Sequence, residues 1–399
     1  MTDTTLRFPP ARTCPFDPPA MISEIRETHP VTQAELFDGK LAWLVTRFDD
    51  VVKVCSDPRF SASPLTPGFP EVFEGRTRPE DKETSLISMD PPQHDDIRRM
   101  LTRWFTVKRA EAMRPRIQNL VDSLIDAMLS KGSDAELVRD FALPIPTAVI
   151  CWLLGVPEED HLFFQERSGT RLSLAADGSS VSSATSELLA YLDDLVGKKI
   201  ESPGDDILSD LVHKQMLPGH LDRETLVDLG RQLLIAGHES TASMIALSTM
   251  LLLEHPDQLA ALRADKALVP GAVEELLRYL TIATILVGRV ATADVEIGSE
   301  VIRAGEGVRA LLNAANRDPR AFANPDALDI GRPEAHRHIA FGYGIHQCLG
   351  QGYARVEMQV AIETLFRRMP NLAMGVPLDE VHFKYESAVH GVHELPVTF

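Results

Sequence analysis

Phe341-Gly342-Tyr343-Gly344-Ile345-His346-Gln347-Cys348-Leu349-Gly350 sets three glycines, a phenylalanine and a histidine around one cysteine. The stretch reads as a glycine-rich loop that delivers Cys348 to the start of a helix, expected over residues 349–369 and stopped by Pro370. At a helix N-terminus the macrodipole and the free amide N–H groups favour a thiolate. Glycines remove the side chains that would hold off a flat ligand and let backbone N–H groups approach sulfur. An inert buried cysteine beside a turn is the ordinary reading of a lone cysteine. That reading explains none of the residues around this one.

Upstream lies a meander rich in Pro, Asn, Asp and Arg at 313–333, preceded by short strand-like pieces at 294–297 and 301–304. Before these a helix is expected over 271–280, where Glu275 and Arg278 stand three apart on one face. Taken alone, such a pair is most often a surface ion pair. The longest helix is expected over 222–255, with Asp222 as N-cap, Glu224 in the first turn and Pro256 as stop. At 1.5 Å per residue it would run about 50 Å. It is apolar on most faces, which marks it as central and buried. In its middle, Ala236-Gly237-His238-Glu239-Ser240-Thr241 puts polar groups beside a helix-weakening glycine. Such conflicts between local chemistry and burial concentrate at functional sites. The plainer alternative has the hydroxyls bonding back to the preceding turn and the glutamate in a salt bridge.

Further helices are expected at 113–129, 145–154, 184–198 and 207–216. Another starts at Pro92, with Ile97, Met100, Leu101, Trp104 and Phe105 on one face. Near the start, 31–37 and 41–47 flank Asp38-Gly39, the signature of an antiparallel hairpin. The portion 31–60 is therefore expected to be β-rich, and a Pro/Gly/Ser-rich loop follows at 61–78. The fold class is mainly α with small β-sheets. No repeat divides the chain, and the motifs span it, so residues 1–399 read as a single domain.

The 399 residues carry a net charge of −18, with 44% hydrophobic and 25% charged residues. That composition fits a soluble globular protein and excludes disorder, collagen and a disulfide scaffold. The acidity argues against duplex nucleic acid as a partner. Cys14, Cys55, Cys151 and Cys348 form no C-x-x-C pair, which fits a reducing, cytoplasmic setting without structural zinc. Residues 1–19 lack an apolar core of the leader type, and the most apolar run, 244–253, is shorter than the roughly 20 residues of a membrane span. No membrane association is expected.

The chain resembles the cytochrome P-450 superfamily, in its soluble bacterial, actinomycete-type branch. The haem-ligand signature F-G-x-G-x-H-x-C-x-G is matched by Phe341, Gly342, Gly344, His346, Cys348 and Gly350. Residues 236–241 are similar to the oxygen-binding stretch A-G-x-[DE]-[TS]-T, with Ser240 where threonine is more frequent. Met89-Asp90-Pro91-Pro92 and Ala315-Asn316-Arg317-Asp318-Pro319 look like the same branch; Tyr353 departs from it, where leucine is usual. The resemblance implies a single-domain triangular prism, with haem between the long central helix and the cysteine-bearing helix. By the same resemblance Cys348 is the axial ligand of the iron of haem b, with Phe341 and Gly350 beside it. His94, Arg98, Arg289 and His346 are placed on the propionates, and Glu239, Ser240 and Thr241 on oxygen and proton handling. Glu275 and Arg278, with Arg332 as third member, become a structural tie. Substrate is expected against Leu233, Leu234, Ala236, Ile282, Ile285, Leu286 and Val389, together with the loop 61–87 and the stretch 164–187.

The implied activity is a monooxygenase that inserts one atom of O2 into a small, largely apolar organic substrate by hydroxylation or epoxidation. A secondary metabolite, a steroid-like molecule or a xenobiotic fits. Electrons would come ultimately from NAD(P)H through a ferredoxin reductase and a ferredoxin, to a monomeric enzyme. Arg98, Arg99, Arg103, Lys108 and Arg109, with His336, Arg337, His338 and Arg355, offer a basic dock for an acidic ferredoxin. Two rivals stand: a nitric oxide reductase of the same fold, similar in Leu36-Phe37-Asp38-Gly39 and in residues 395–399, and a non-catalytic haem-binding sensor. The acid and alcohol at Glu239-Ser240 favour oxygen activation over both.

Overall fold

Asp38 and Gly39 close the first hairpin as their turn chemistry dictates. Gly39 takes φ +79°, and Lys40 donates its backbone N–H back to the Asp38 carboxylate at 3.2 Å. The strands it joins pair antiparallel from Val31↔Val45 to Glu35↔Leu41. In this computed structural model, residues 6–72, 85–132, 135–164, 167, 178–385 and 387–399 are described.

From the N-terminus run α1 (Ala20–Thr28), β1 (Val31–Glu35), β2 (Leu41–Val45), α2 (Phe48–Ser56), β3 (Phe60–Ser61), α3 (Gln93–Thr102), α4 (Val107–Lys131), β4 (Ala135–Glu136), α5 (Pro144–Leu154), α6 (Gly178–Glu201) and α7 (Ile207–Leu211). There follow α8 (Arg223–Leu253), α9 (Pro256–Ala264), α10 (Val269–Leu280), β5 (Gly288–Ala291), β6 (Val295–Ile297), β7 (Glu300–Ile302), β8 (Gly307–Ala310), α11 (Leu312–Ala315), α12 (Gln351–Arg368), β9 (Ala373–Met374) and β10 (Pro396–Thr398). The class is mainly α with small sheets, as the sequence predicts. Two units divide the chain, and neither is continuous. The first takes Met1–Asp95, Pro270–Cys348 and Ala388–His390; the second takes Asp96–Val269, Leu349–Ser387 and Gly391–Phe399.

The first unit is built on a five-stranded sheet of order β1-β2-β8-β5-β3. Alternation along β2 sends Trp43 and Val45 to one face, where Val51, Val54 and Cys55 of α2 cover them. Ala42 and Leu44 go to the other face, against Ile22 and Ile25 of α1. The β-rich reading of 31–60 needs correction, because its second half is the helix α2. Asp49 and Asp50 lie in that helix's first turn, and Val51, Val54 and Cys55 recur at helical spacing on its buried side. Strands β5 and β8 escape a sequence reading for a different reason. All four residues of each are buried, arginines included, so Arg289 and Arg309 read in sequence as solvent-facing positions that the strands do not have.

The second unit is organised by α8. Asp222 caps it by accepting the Thr225 N–H at 2.7 Å, and 31 residues follow. Every residue from Thr241 to Leu252 is buried, which makes this the central helix of the unit. Helices α5, α6 and α12 pack on it, and α4 packs on α12. Gly237 does not loosen α8, which stays α-helical throughout; a Cβ there would stand 3.2 Å from Ile150 Cγ1. The glycine serves close approach of α5. Among the described residues no helix is long and apolar enough to cross a membrane.

Candidate functional site

Gly342 and Gly344 take φ +74° and +73°, values that L side chains resist. At Gly344 a Cβ would also lie 2.4 Å from Cys55 O, so the loop is pressed against the end of α2. The turn is closed by the Gly342 N–H to Ile339 O at 2.8 Å and by the Cys348 N–H to Phe341 O at 2.8 Å. Gly350 caps α12, and its carbonyl accepts the Ala354 N–H at 3.1 Å. Cys348 thus lies just ahead of a helix start and is exposed; Cys55 and Cys151 are buried, and Cys14 is intermediate. Burial pushes the Cys55 thiol up, and that of Cys151 up to about 12. Those two are kept as thiols.

Two further site residues, His94 and Arg289, fall in the same unit as the loop and its His346. His94 is fully buried; its Nδ1 is 2.9 Å from the Asp95 carboxylate, and its buried Nε2 has no hydrogen-bond partner. The His346 ring is 4.4 Å from the His94 ring, centroid to centroid. Arg289 is 6% exposed on β5 and donates to Gly288 O at 2.7 Å. Burial lowers its pKa, and no carboxylate pairs with it among the described residues. A buried cation without an ion-pair partner and a buried imidazole nitrogen without an acceptor suit an anionic group such as a haem propionate. The exposed thiol suits an iron, so the residues present fit haem. Arg98 is half-buried on α3, in the second unit.

Glu275, Arg278 and Arg332 come together with no access to solvent worth the name. Arg278 donates to both Glu275 oxygens at 2.7 and 2.8 Å, and to Asn316 O and Pro325 O at 2.8 and 2.9 Å. Arg332 Nε reaches the same carboxylate at 3.1 Å, and the Asp329 N–H adds a bond at 3.0 Å. Charges this deeply buried are tolerated only when fully bonded. Glu275 and Arg278 therefore anchor the meander to α10.

On α8, Glu239 is 9% exposed. Its Oε1 accepts the Lys384 ammonium, while Oε2 is buried without a partner. The Ser240 hydroxyl donates back to Ala236 O at 2.8 Å, and Thr241 is buried. His238, 2% exposed, has neither ring nitrogen bonded; burial, helped by Lys384, lowers its pKa to about 4 and keeps it neutral. Three buried polar atoms in one turn without protein partners, both His238 ring nitrogens and Glu239 Oε2, mark a place that ordered water would complete.

The cytochrome P450 family model matches residues 179–374. Cytochrome P450-SU2 of Streptomyces griseolus is 52% identical over 386 residues, which is 97% of this chain and 94% of that protein. Pentalenic acid synthase of Streptomyces avermitilis is 48% identical over 392 residues, 98% of this chain and 97% of that protein. The crystal structure of GfsF matches with a TM-score of 0.93 at 45% identity, covering 99% of this chain and 100% of that one. The chain belongs to the cytochrome P450 family. It is a haem-thiolate monooxygenase with haem b as cofactor.

The residues expected against substrate in this P450 fall in both units. In the first, the backbone of 282–283 pairs with 389–390, through the bridge Ala283↔Val389 and the His390 N–H to Ile282 O at 3.0 Å. Ile282 and Ile285 are buried, Val389 is half-buried and Leu286 is exposed. In the second, Ala236 is exposed and Leu233 half-buried, but Leu234 is closed in at 1% exposure. Within the expected loop and stretch, 73–84, 165–166 and 168–177 lie outside the described residues.

Sequence reasoning missed Lys384, which lies far along the chain from Glu239; only the three-dimensional hairpin 383–392 brings it back. There Phe383 pairs with Val392, and Gly391 leaves room for Ser243, whose Oγ would stand 2.4 Å from a Cβ at 391. Tyr353 proves to be a packing residue of the P450. Its hydroxyl donates to Trp104 O at 2.9 Å, its ring meets Phe105 edge-on at 5.8 Å, and burial pushes its pKa up to about 12. The basic dock is thinner than its sequence suggests. His338 is buried and bonded to Glu274 at 3.1 Å, and Arg103 pairs with Asp210.

Proposed function

We propose that this P450 inserts one oxygen atom of O2 into a small apolar organic molecule, and that Cys348 is the thiolate that would hold the haem iron. The observation that carries the reading is the exposed Cys348 at the end of a glycine-shaped loop, in one unit with a buried Arg289 that has no ion-pair partner among the described residues and a buried His94 nitrogen without an acceptor. Haem held through a thiolate supplies dioxygen activation, since thiolate donation favours O–O cleavage. His94, Arg98, Arg289 and His346 would neutralise and bond the propionates, and Phe341 and Gly350 would shape the loop about the thiolate.

Glu239 offers Oε2 as the site where a proton is held, and Thr241 and Ser240 flank it on α8. For Ser240 to pass a proton its hydroxyl must turn from Ala236 O. Leu233, Ala236, Ile282, Ile285, Leu286 and Val389 would orient the substrate by apolar contact and exclude water; Leu234, closed in on α8, would support Leu233 from within its own helix. The name of pentalenic acid synthase supports a secondary metabolite as substrate. Electrons arrive from NAD(P)H through a ferredoxin reductase and a ferredoxin. The enzyme works as a cytoplasmic monomer in which residues 1–399 act as one haem-thiolate domain; the interleaving of chain segments between the units supports this.

Reduction under carbon monoxide tests the reading. The red-shifted Soret maximum of a thiolate-ligated ferrous carbonyl is expected, and Cys348→Ala abolishes it. The same spectrum in the variant would overturn the assignment.

A further inference from the structure

Arg309 occupies a place that a strand gives to an apolar side chain. It sits on β8, the central strand of the five-stranded sheet, in register with Leu44 on one side and Gly288 on the other. Val308 and Ala310 join the apolar cluster against α2. Alternation sends Arg309 to the opposite face, which carries Ala42, Leu44 and Ile285. There it is 4% exposed and forms no ion pair among the described residues; the carboxylate that acts on it, Glu71, does so through its charge alone. Burial lowers its pKa to about 10, so it remains a cation at neutral pH.

What receives this cation is main chain. Arg309 donates to Ile285 O at 3.0 Å and to Pro70 O, and the Phe69 ring lies 5.7 Å away. Glycines make the room. A Cβ on Gly288 would stand 2.8 Å from Arg309 Nη1, and one on Gly307 would stand 2.6 Å from Gly68 O. Gly68 itself, at φ +91°, would carry a Cβ 1.9 Å from Gly305 O. Residues 68–70 are thereby seated on the turn before β8, and the guanidinium joins them to Ile285. An apolar residue would suit this sheet face. A planar fork of donors is called for only where two carbonyls from separate segments must be drawn to one point.

We propose that Arg309 is a specificity-determining residue: it clamps Pro70 to Ile285 and so sets the spacing of the two segments of the first unit that face the substrate. The inference rests on the reading of the 61–72 and 282–286 segments as substrate-facing. The cation buys shape, and the selection it imposes is by ligand size.

The test compares wild-type holoenzyme with Arg309→Leu, Arg309→Lys and Gly288→Ala, the last of which drives a methyl into the guanidinium. Amide hydrogen exchange is followed in peptides covering 66–72 and 283–288, with 241–252 as internal reference. Binding of imidazole and of a bulky azole is followed by the shift of the Soret band. In Arg309→Leu both peptides exchange about tenfold faster while the reference is unchanged, and the ratio of the two azole affinities moves by about tenfold. Arg309→Lys and Gly288→Ala move both readouts in the same direction by less, and they decide the matter if the leucine variant does not fold. Unchanged exchange overturns the clamp. Faster exchange with an affinity ratio constant to within about twofold overturns the specificity role. A wild-type protein with no azole shift at all would sink the haem reading instead, and exchange alone would then judge the clamp.

Discussion

Glu357 on α12 is 3% exposed, and its Oε2 has no hydrogen bond. Burial alone raises its carboxyl well above the ordinary range. A carboxyl that holds its proton more tightly in the fold than in the open chain adds stability below the ordinary carboxyl pKa and forfeits it as pH climbs toward the raised value. Each pH unit inside that window is worth about 1.4 kcal/mol. Glu357→Gln removes the titration, so the wild type should lose melting temperature relative to the variant from about pH 5 upward; parallel melting curves across that range would refute it. Lys384 presents the opposite case, a charge that is paired. Lys384→Met keeps the stem and strands the Glu239 carboxylate, and because the pair is partly buried a cost of about 1–3 kcal/mol is expected, below that of a fully buried pair. Adding Glu239→Gln should recover most of that loss in urea melts, whereas simple addition of the two effects would show that the pair is not coupled.

At the scale of the element, α10 is held to the meander by Glu275, Arg278 and Arg332, and the geometry makes Arg278 irreplaceable by lysine. Arg278→Lys keeps the cation but loses the two-point bond to Glu275 and leaves Asn316 O and Pro325 O without their donor. A cost of about 3 kcal/mol or more is expected, read as a lower unfolding midpoint and a lower haem content per chain. The spacing of Glu275 and Arg278 was visible in the sequence because a helix puts such pairs on one face. That they are buried was not, because burial depends on a meander fifty residues on. The hairpin at Asp38-Gly39 and the caps of α8 were likewise legible, since their causes are local. Gly237 was misread as a weak point: its cause, the approach of Ile150, lies on another helix. Strand β8, and Arg309 with it, was hidden because its pairing with β2 joins segments from opposite halves of the chain.

Across the whole molecule the net charge of −18 sets how an electron donor is met. An acidic ferredoxin at long range sees repulsion, and attraction can come only from local basic side chains that are not already spent. Arg103 and Arg109 are drawn to Asp210 and Asp205, and Arg109 stacks on Trp104 at 4.1 Å. Lys108 and Arg337 are exposed and make no ion pair among the described residues. Screening reaches about 10 Å at 0.1 M salt. Moderate salt should therefore hide the overall repulsion while leaving close contacts intact, and higher salt should weaken those as well. The rate of reduction by ferredoxin, measured by stopped flow, is then expected to pass through a maximum with ionic strength rather than fall steadily, as it would for oppositely charged partners. Lys108→Glu should lower that maximum several-fold and leave peroxide-supported turnover unchanged. A steady fall with salt in the wild type, or equal loss of both activities in the variant, would place the electron donor elsewhere on the surface.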